Sequence, residues 1–325
     1  MKPLLKKALH AIAAIALAAS AAQVAAQNYP DRPIRLIVGY AAGGGPDITA
    51  RSTGQALSQL LGQPVIVENR LGAGGVISGQ TVATATPDGY TLLVGETGQL
   101  GIVPHLMKSL PYDPVKDLAP VCLITSSELL LAASPKSGIR TLQQLVSEAR
   151  ANPGKLSYGS SGIGTVHHLA MEIFLSDLGL NIVHVPFKGS GQAVPALLAG
   201  DVPLLLTGIP VVTPYAKAGR VTLLGVTSAS RAEAVPDIPP MADVDKGFDY
   251  TVEIGLLAPA GTHPAIIRKL SDTVKTAMQS PELLKRYHDG SLTTKYLPTE
   301  AYAALLKRNY QVYEKAIKAA NIRSN

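Results

Sequence analysis

The residues of this sequence that could do chemistry lie in short glycine-rich loops. The first loop, residues 39–47 (GYAAGGGPD), follows an apolar run and precedes a helical pattern. Glycine lets backbone amides approach a ligand closely, and Pro46 suits the first turn of a helix. The free N–H groups at a helix start, together with the helix dipole, favour an anion. The pattern therefore predicts either an anion site or a strand-to-helix turn without a ligand.

Two nucleotide-binding motifs do not fit this region. An NTPase phosphate loop ends in Gly-Lys-Ser/Thr, whereas here Gly45 is followed by Pro46 and Asp47. A dinucleotide motif starting at Gly72 would need a third glycine where the sequence has Ile77. Neither class of nucleotide site is predicted.

A second loop, residues 158–165 (YGSSGIGT), also lies between a predicted strand and a predicted helix. Its hydroxyls and glycine amides suit a carboxylate. The spacing differs from the Gly-x-Ser-x-Gly motif of a serine nucleophile. His168 and Glu172 share a helix face, as two metal ligands would, but such pairs are common by chance. His168 is expected either to pack at the helix start or to touch the ligand.

Three more loops follow predicted strands and offer further polar groups. They contain Thr97 with Gln99, Phe187 with Lys188, and Thr207. Ligands of open α/β sheets bind at the carboxyl ends of strands, so these loops are expected to converge. They provide no nucleophile with a base and an orienting group, and no motif of paired carboxylates. This favours a binding protein over an enzyme.

The elements that position these loops alternate along the chain. Nine short apolar runs read as strands, and amphipathic helical stretches separate most of them. Most of the runs are continuously apolar, which is typical of strands covered by helices on both faces. The alternation predicts an α/β fold with mainly parallel sheets flanked by helices.

The composition restricts the possible classes of protein. Residues 1–26 combine a positive start, an Ala-rich apolar stretch and small residues at the end, as in a secretory signal peptide. Without the three lysines of this segment the net charge falls from +6 to +3, which is too small to suggest nucleic-acid binding. Cys122 is the only cysteine, so neither an internal disulfide nor a cysteine-based metal site can form.

A chain of this length is expected to divide into two lobes. Two segments could carry the chain from one lobe to the other, residues 118–126 and residues 223–228. The predicted division assigns residues 27–125 and 227–325 to the first lobe and residues 126–226 to the second.

Several short motifs, in order along the mature chain, resemble the Bug family, the periplasmic receptors of tripartite tricarboxylate transporters. They are residues 29–38 (YPDRPIRLIV), Asp47 with Arg51, and residues 67–75 (VENRLGAGG), 88–93 (DGYTLL), 110–114 (LPYDP), 184–189 (HVPFKG) and 258–262 (APAGT). Two departures are Gly39-Tyr40, where the family often has Pro-Phe, and Val103-Pro104, where it often has Asn-Pro.

The resemblance implies a two-lobed periplasmic-binding-protein fold of type II with a ligand cleft between the lobes. It also implies a small carboxylate ligand (a dicarboxylate, an aromatic acid or an amino acid), held by residues 40–47 and 160–165. Tyr40 and Phe187 suggest a flat or aromatic acid. The partner would be the membrane permease of such a transporter or, alternatively, a sensor kinase.

These arguments together predict a monomeric periplasmic receptor that is not an enzyme and uses neither a cofactor nor a metal. An exported enzyme on the same scaffold is the main rival from another class. The predicted ligand-binding residues are Tyr40, Ala42, Gly43, Gly44, Asp47, Thr97, Gln99, Ser160, Ser161, Gly164, Thr165, His168, Phe187, Lys188 and Thr207.

Overall fold

The fold is described from a computed structural model, which covers residues 29–40, 42–187, 189–319 and 322. The strands are β1 (Ile34–Val38), β2 (Val65–Asn69), β3 (Thr91–Glu96), β4 (Leu118–Ser127), β5 (Leu129–Ala133), β6 (Ser157–Ser160), β7 (Val183–Pro186), β8 (Leu204–Gly208), β9 (Thr222–Val226), β10 (Val252–Pro259) and β11 (Thr293–Leu297). The α-helices are α1 (Gly45–Leu61), α2 (Val76–Ala83), α3 (Val103–Leu106), α4 (Leu142–Ala151), α5 (Val166–Leu178), α6 (Ser190–Ala199), α7 (Ile209–Lys217), α8 (Pro264–Ala277), α9 (Pro281–Asp289) and α10 (Thr299–Ala319). None of the helices in these ranges is long and apolar enough to cross a membrane.

The strands form two sheets. The first has six strands in the order β11-β4-β10-β3-β1-β2, and the second has five in the order β7-β6-β8-β5-β9. In the first sheet β1 pairs in parallel with β2 and β3, with Leu36 opposite both Val67 and Leu92. In the second sheet β6 pairs in parallel with β7 and β8. These parallel strands alternate with helices along the chain, which confirms the predicted α/β class.

Both sheets also contain antiparallel pairs, so the sheets are mixed. In the first sheet β10 is antiparallel to β3 and β4, and β11 is antiparallel to β4. In the second sheet β5 is antiparallel to β8 and β9. The physical reason is that β5 and β10 receive the chain from the other sheet without a crossover helix, which parallel neighbours would require. Most strands of each sheet still share one direction, as predicted.

Helices cover both faces of each sheet, as the continuous apolar strands indicated. One core of the first sheet contains Leu36, Val94 and Leu270, and the core on its other face contains Ile37 and Leu257. The second sheet has corresponding cores, one around Leu131, Leu169 and Phe174 and the other around Leu205, Leu197 and Val212.

The chain passes directly between the sheets. Only Glu128 separates β4 from β5, and after β9 the residue Thr227 exchanges hydrogen bonds with Leu129. The last helix, α10, contacts both parts, because Tyr302 packs in a core of the first sheet and Tyr313 in a core of the second. The predicted lobe boundaries stay a prediction, and the predicted signal peptide, residues 1–26, lies outside the described residues.

Candidate functional site

The first glycine loop joins β1 to α1 and ends in an uncapped helix start. Gly43 has a φ of +83°, a left-handed conformation that glycine adopts readily. Gly44 stands at the N-cap position without a capping side chain, and Pro46 lies in the first turn of α1. The first N–H groups of α1 therefore have no partner within the helix. Ala42 and Gly43 are exposed and Gly44 is half-buried, so the loop is accessible to a ligand.

Asp47 is buried and holds this loop in position. Its carboxylate accepts the N–H of Gly43 at 2.9 Å, Nε of Arg51 at 3.0 Å and Nδ2 of Asn69 at 2.8 Å. Burial raises the pKa of Asp47, but the bonds from Arg51, Gly43 and Asn69 outweigh burial and lower that pKa below its ordinary value. The ionised Asp47 thus holds the loop in position, and its contact with a ligand stays a prediction.

Tyr40 and Glu96 connect the first loop to the end of β3. The Tyr40 hydroxyl donates a hydrogen bond to Glu96 Oε1, and the N–H of Gln99 donates to the same oxygen at 3.0 Å. Burial raises the pKa of Glu96, and the hydrogen bonds that it accepts, including the one from Tyr40, only partly offset this. Sequence reasoning missed Glu96 because its partner Tyr40 is 56 residues away in the chain.

The predicted ligand residues Thr97 and Gln99 lie in the interior. Thr97 is 3% exposed and its hydroxyl donates to Glu253 at 2.5 Å, while Gln99 is fully buried and donates from Nε2 to the Gly75 carbonyl at 2.8 Å. The chain turns into a π-helix, Gly98–Ile102, directly after β3, and this turn directs both side chains inward. Both side chains are thus engaged within the protein, and their contact with a ligand stays a prediction.

The second glycine loop joins β6 to α5. Thr165 caps the helix: its hydroxyl accepts the N–H of His168 at 3.3 Å and donates to the Gly162 carbonyl at 2.8 Å. Gly164 has a φ of +75° and donates its N–H to Nδ1 of His168 at 3.1 Å. Of the two predicted serines, Ser160 is fully buried and Ser161 is half-buried. Ser161 is thus the more accessible hydroxyl of the loop.

Each of these serines is hydrogen-bonded to the imidazole of a histidine. Ser160 Oγ lies 2.7 Å from Nε2 of His184, and Ser161 Oγ lies 2.7 Å from Nδ1 of His167. His184 stacks on the ring of His168, with centroids 3.8 Å apart. Burial lowers the pKa of His167 and of His184 to about 4, and burial together with His184 lowers that of His168 to about 3. The three rings are therefore neutral near pH 7.

His167 and His184 were not predicted as site residues. His184 belongs to β7, beside β6, and parallel pairing aligns Tyr158 with it. Only that pairing, which is invisible in a single sequence, places His184 beneath the loop. His167 follows Ser161 by six residues, a spacing that becomes a contact once the loop folds back onto α5.

Two of the remaining predicted residues, Phe187 and Thr207, lie at the ends of strands of the second sheet. Phe187 is half-buried and its N–H donates to the Ser160 carbonyl at 3.1 Å. Thr207 is buried, with its hydroxyl 3.2 Å from that of Ser190 at the start of α6. Lys188 lies outside the described residues. Ser190, half-buried beside the loop, is a further candidate that the sequence did not indicate.

The two groups of loops meet at α3. A Cβ on Gly164 would lie well inside contact distance of Leu106 Cδ1, so the second loop rests on the helix that follows the β3 loop. Ile102 and Val166 share one apolar core beside this contact. Four surface pockets of the described part are lined by other residues, and none contains a predicted site residue. A cleft that closes on its ligand does not require an enclosed cavity beforehand.

The arrangement is suited to binding an anion. The starts of α1 and α5 provide N–H groups, and Ser161 provides a hydroxyl. The Ser–His pairs resemble a nucleophile with its base, but within the described residues no carboxylate is hydrogen-bonded to His167 or His184 to orient the ring. No group of three or more His, Cys, Asp or Glu side chains in the described ranges could hold a metal ion.

Comparison with known proteins gives one consistent family. A family profile described as "Tripartite tricarboxylate transporter family receptor" matches residues 49–322. A UPF0065 protein of Bordetella pertussis is 40% identical over 293 residues, covering 90% of each chain. Protein BugT of the same organism is 36% identical over 275 residues, covering 84% of each chain.

Solved structures agree with the sequence relatives. An R. palustris protein with adipate has a TM-score of 0.74 at 29% identity, covering 91% of this chain and all of that one. The MatC protein of Rhodopseudomonas palustris with bound malate has a TM-score of 0.70 at 31% identity, covering 89% of this chain and all of that one. Both ligands are dicarboxylates.

Proposed function

Because this chain belongs to the tripartite tricarboxylate transporter receptor family, the Bug family, and is a solute-binding protein, we propose that it captures a small carboxylate in the periplasm for a transporter of that type. The proposed ligand is a dicarboxylate, an aromatic acid or an amino acid. Two relatives of known structure hold adipate and malate, which supports a dicarboxylate first.

One observation carries this proposal. Two glycine loops, one from each sheet, lead into the starts of α1 and α5, and the second loop rests on α3 next to the first group of loops. Free N–H groups and a positive helix end on both sides would bind carboxylate oxygens directly or through water. Asp47 and Thr165 are already bonded within their loops, as are the amides of Gly43 and Gly164, so the direct donors are the remaining N–H groups at the starts of α1 and α5 and the Ser161 hydroxyl.

The test is a thermal-shift and calorimetric panel of carboxylates, each paired with its uncharged ester. Adipate and malate are expected to raise the melting temperature in proportion to the logarithm of their concentration, whereas the esters are not. Substitution of Ser161→Ala should weaken the best ligand about tenfold, since a hydrogen bond to a carboxylate contributes roughly 1.5–3 kcal/mol.

The matched control is Ser147→Ala, an exposed serine on α4, which should leave the affinity unchanged. The proposal is wrong if no carboxylate exceeds its ester. The site assignment is wrong if both serine variants bind the ligand equally well.

A further inference from the structure

A groove of about 410 Å³ separates α5 from the last turns of α10, outside the predicted ligand loops. Its lining comes from α5, the segment between α5 and β7, the segment before β10, and one face of α10. These residues are Glu172, Ile173, Leu175, Ser176, Asp177, Leu180, Asn181, Ile182, Tyr250, Val312, Lys315, Ala316 and Ala319. A volume of this size lies within the range of small-molecule sites.

The floor of the groove is apolar. Ile173 and Ile182 are buried beneath it, and Leu180 is half-buried at its side. On the opposite wall Val312 and Ala316 are four residues apart, so one face of α10 presents them together. A ligand here would bury an aliphatic or aromatic body against both helices.

The end of the groove near Tyr250 is acidic. The charges of Asp177, Asp245 and Asp249 all raise the pKa of Tyr250, after burial, and only Arg308 opposes them. Asp177 is exposed and makes no ion pair within the described part of the chain. Asp245 Oδ2 is buried and has no hydrogen-bond donor among the described residues. Among the described residues, neither Asp177 nor Asp245 is paired with a cation.

We propose that this groove is a second small-molecule site that binds an amine with an apolar body. The ammonium group lies at the acidic end, beside the exposed Asp177, and the nearby charge of Asp245 adds to the attraction. The apolar body extends along Ile173, Val312 and Ala316. This site binds a cation, whereas the glycine loops are expected to bind an anionic carboxylate. The two classes of ligand therefore do not compete.

The charge of the lining decides against an acid in this groove. The charged side chains among the described lining residues are Glu172, Asp177 and Lys315, and the charge of Asp245 acts on the neighbouring Tyr250. Glu172 is already bonded to the Tyr158 hydroxyl at 2.6 Å, which leaves Asp177 as the free carboxylate of the lining. A carboxylate ligand would be repelled by this set, and a neutral ligand would gain nothing from the charge of Asp177.

The experiment compares three probes that share a six-carbon chain and differ in their head group: hexylamine, hexan-1-ol and hexanoate. Calorimetry on the purified protein should show saturable hexylamine binding that is at least fivefold tighter than hexanol binding. Asp177→Asn should weaken hexylamine about three- to fivefold and leave hexanol unchanged.

Matched variants separate this site from general effects. Asp201→Asn removes an exposed carboxylate elsewhere and should change nothing. Ala316→Trp fills the groove and should abolish binding, whereas Ala301→Trp, on an exposed face near the start of the same helix, should not. Equal affinities for the amine and the alcohol, or equal effects of Asp177→Asn and Asp201→Asn, would overturn the proposal. Failure of every carboxylate in the thermal-shift panel would leave this result unaffected.

Discussion

At the residue scale, the second loop depends on imidazole rings that stay neutral. Gly164 donates its N–H to Nδ1 of His168, so the neutral ring carries its proton on Nε2, 3.9 Å from Glu172. The half-buried Ser161 hydroxyl donates to His167 or accepts from it, depending on the tautomer of that ring. A carboxylate ligand requires Ser161 to donate to it, and this selects the His167 tautomer with the proton on Nδ1.

The neutral rings predict a specific dependence of stability on pH. The pKa of His168 is about 3 in the folded protein and about 6.5 when unfolded, so the unfolded chain takes up the proton first as pH falls. The stability that this difference provides is complete above pH 6.5 and is lost progressively between pH 6.5 and 3. The slope approaches about 1.4 kcal/mol per pH unit for each histidine.

The measurement is urea unfolding at pH 7.5, 6.0 and 5.0. His168→Asn retains an acceptor for Gly164 but cannot titrate, so its slope should fall by close to one proton. His288→Asn, at an exposed histidine, is the control and should keep the wild-type slope. An unchanged slope in His168→Asn would mean that the His168 ring can be protonated in the folded state.

Sequence reasoning could indicate only those candidate site residues whose roles depend on their own loop. The glycines of both loops and the capping position of Thr165 follow from local patterns that any strand-to-helix turn would show. Glu96 and His184 could not be identified, because their roles depend on strand pairing and on partners far along the chain. Thr97 was predicted to contact the ligand because its loop follows a strand, and its bond to Glu253, 156 residues away, could not be predicted from a local pattern.

At the element scale, the contact between the second loop and α3 joins the two groups of loops. Gly164→Ala should be destabilising for two reasons: a left-handed φ costs a non-glycine residue about 1–2 kcal/mol, and the new methyl would displace Leu106. Gly179→Ala is the matched control, since its φ is +62° and a methyl there meets nothing within 4 Å.

A double-mutant cycle isolates the contact from the strain. Gly164→Ala should lose more free energy of unfolding than Gly179→Ala, and the excess is the cost of the clash with Leu106. In the Leu106→Ala background this excess should disappear, which gives a coupling energy of roughly 0.5–1.5 kcal/mol between the two sites in denaturant unfolding. Additive effects would show that the loop and α3 do not touch in solution.

Most strands of the two sheets could be predicted from the sequence. Nine strands were expected near their observed positions, because continuous apolar runs between turns are a strong local signal. Residues 118–126, which form most of β4, were predicted to carry the chain between the lobes. β4 does lead out of the first sheet, but it first pairs with β10 and β11. β11 (TTKYL) was missed because a short, largely polar edge strand has no apolar run.

At the scale of the whole molecule, any closure of the two parts must involve α10. Tyr302 fixes the first half of α10 to the first sheet, directly beneath Gly255, and Tyr313 fixes the second half to a core of the second sheet. The direct connections at Glu128 and Thr227 are short and hydrogen-bonded. A rotation of one part against the other would therefore turn about these strands while α10 bends or slides at its second half.

Such closure predicts a change of shape without a change of secondary structure. A compact chain of about 300 residues has a radius of gyration of about 19 Å, and an open two-lobed form is larger. Small-angle X-ray scattering with a saturating carboxylate should show the radius decreasing toward this value, while circular dichroism stays constant. The ester of the same acid is the control. A constant radius under conditions where calorimetry shows saturation would mean that the ligand binds between parts that are already closed, and α10 would then act as a fixed brace.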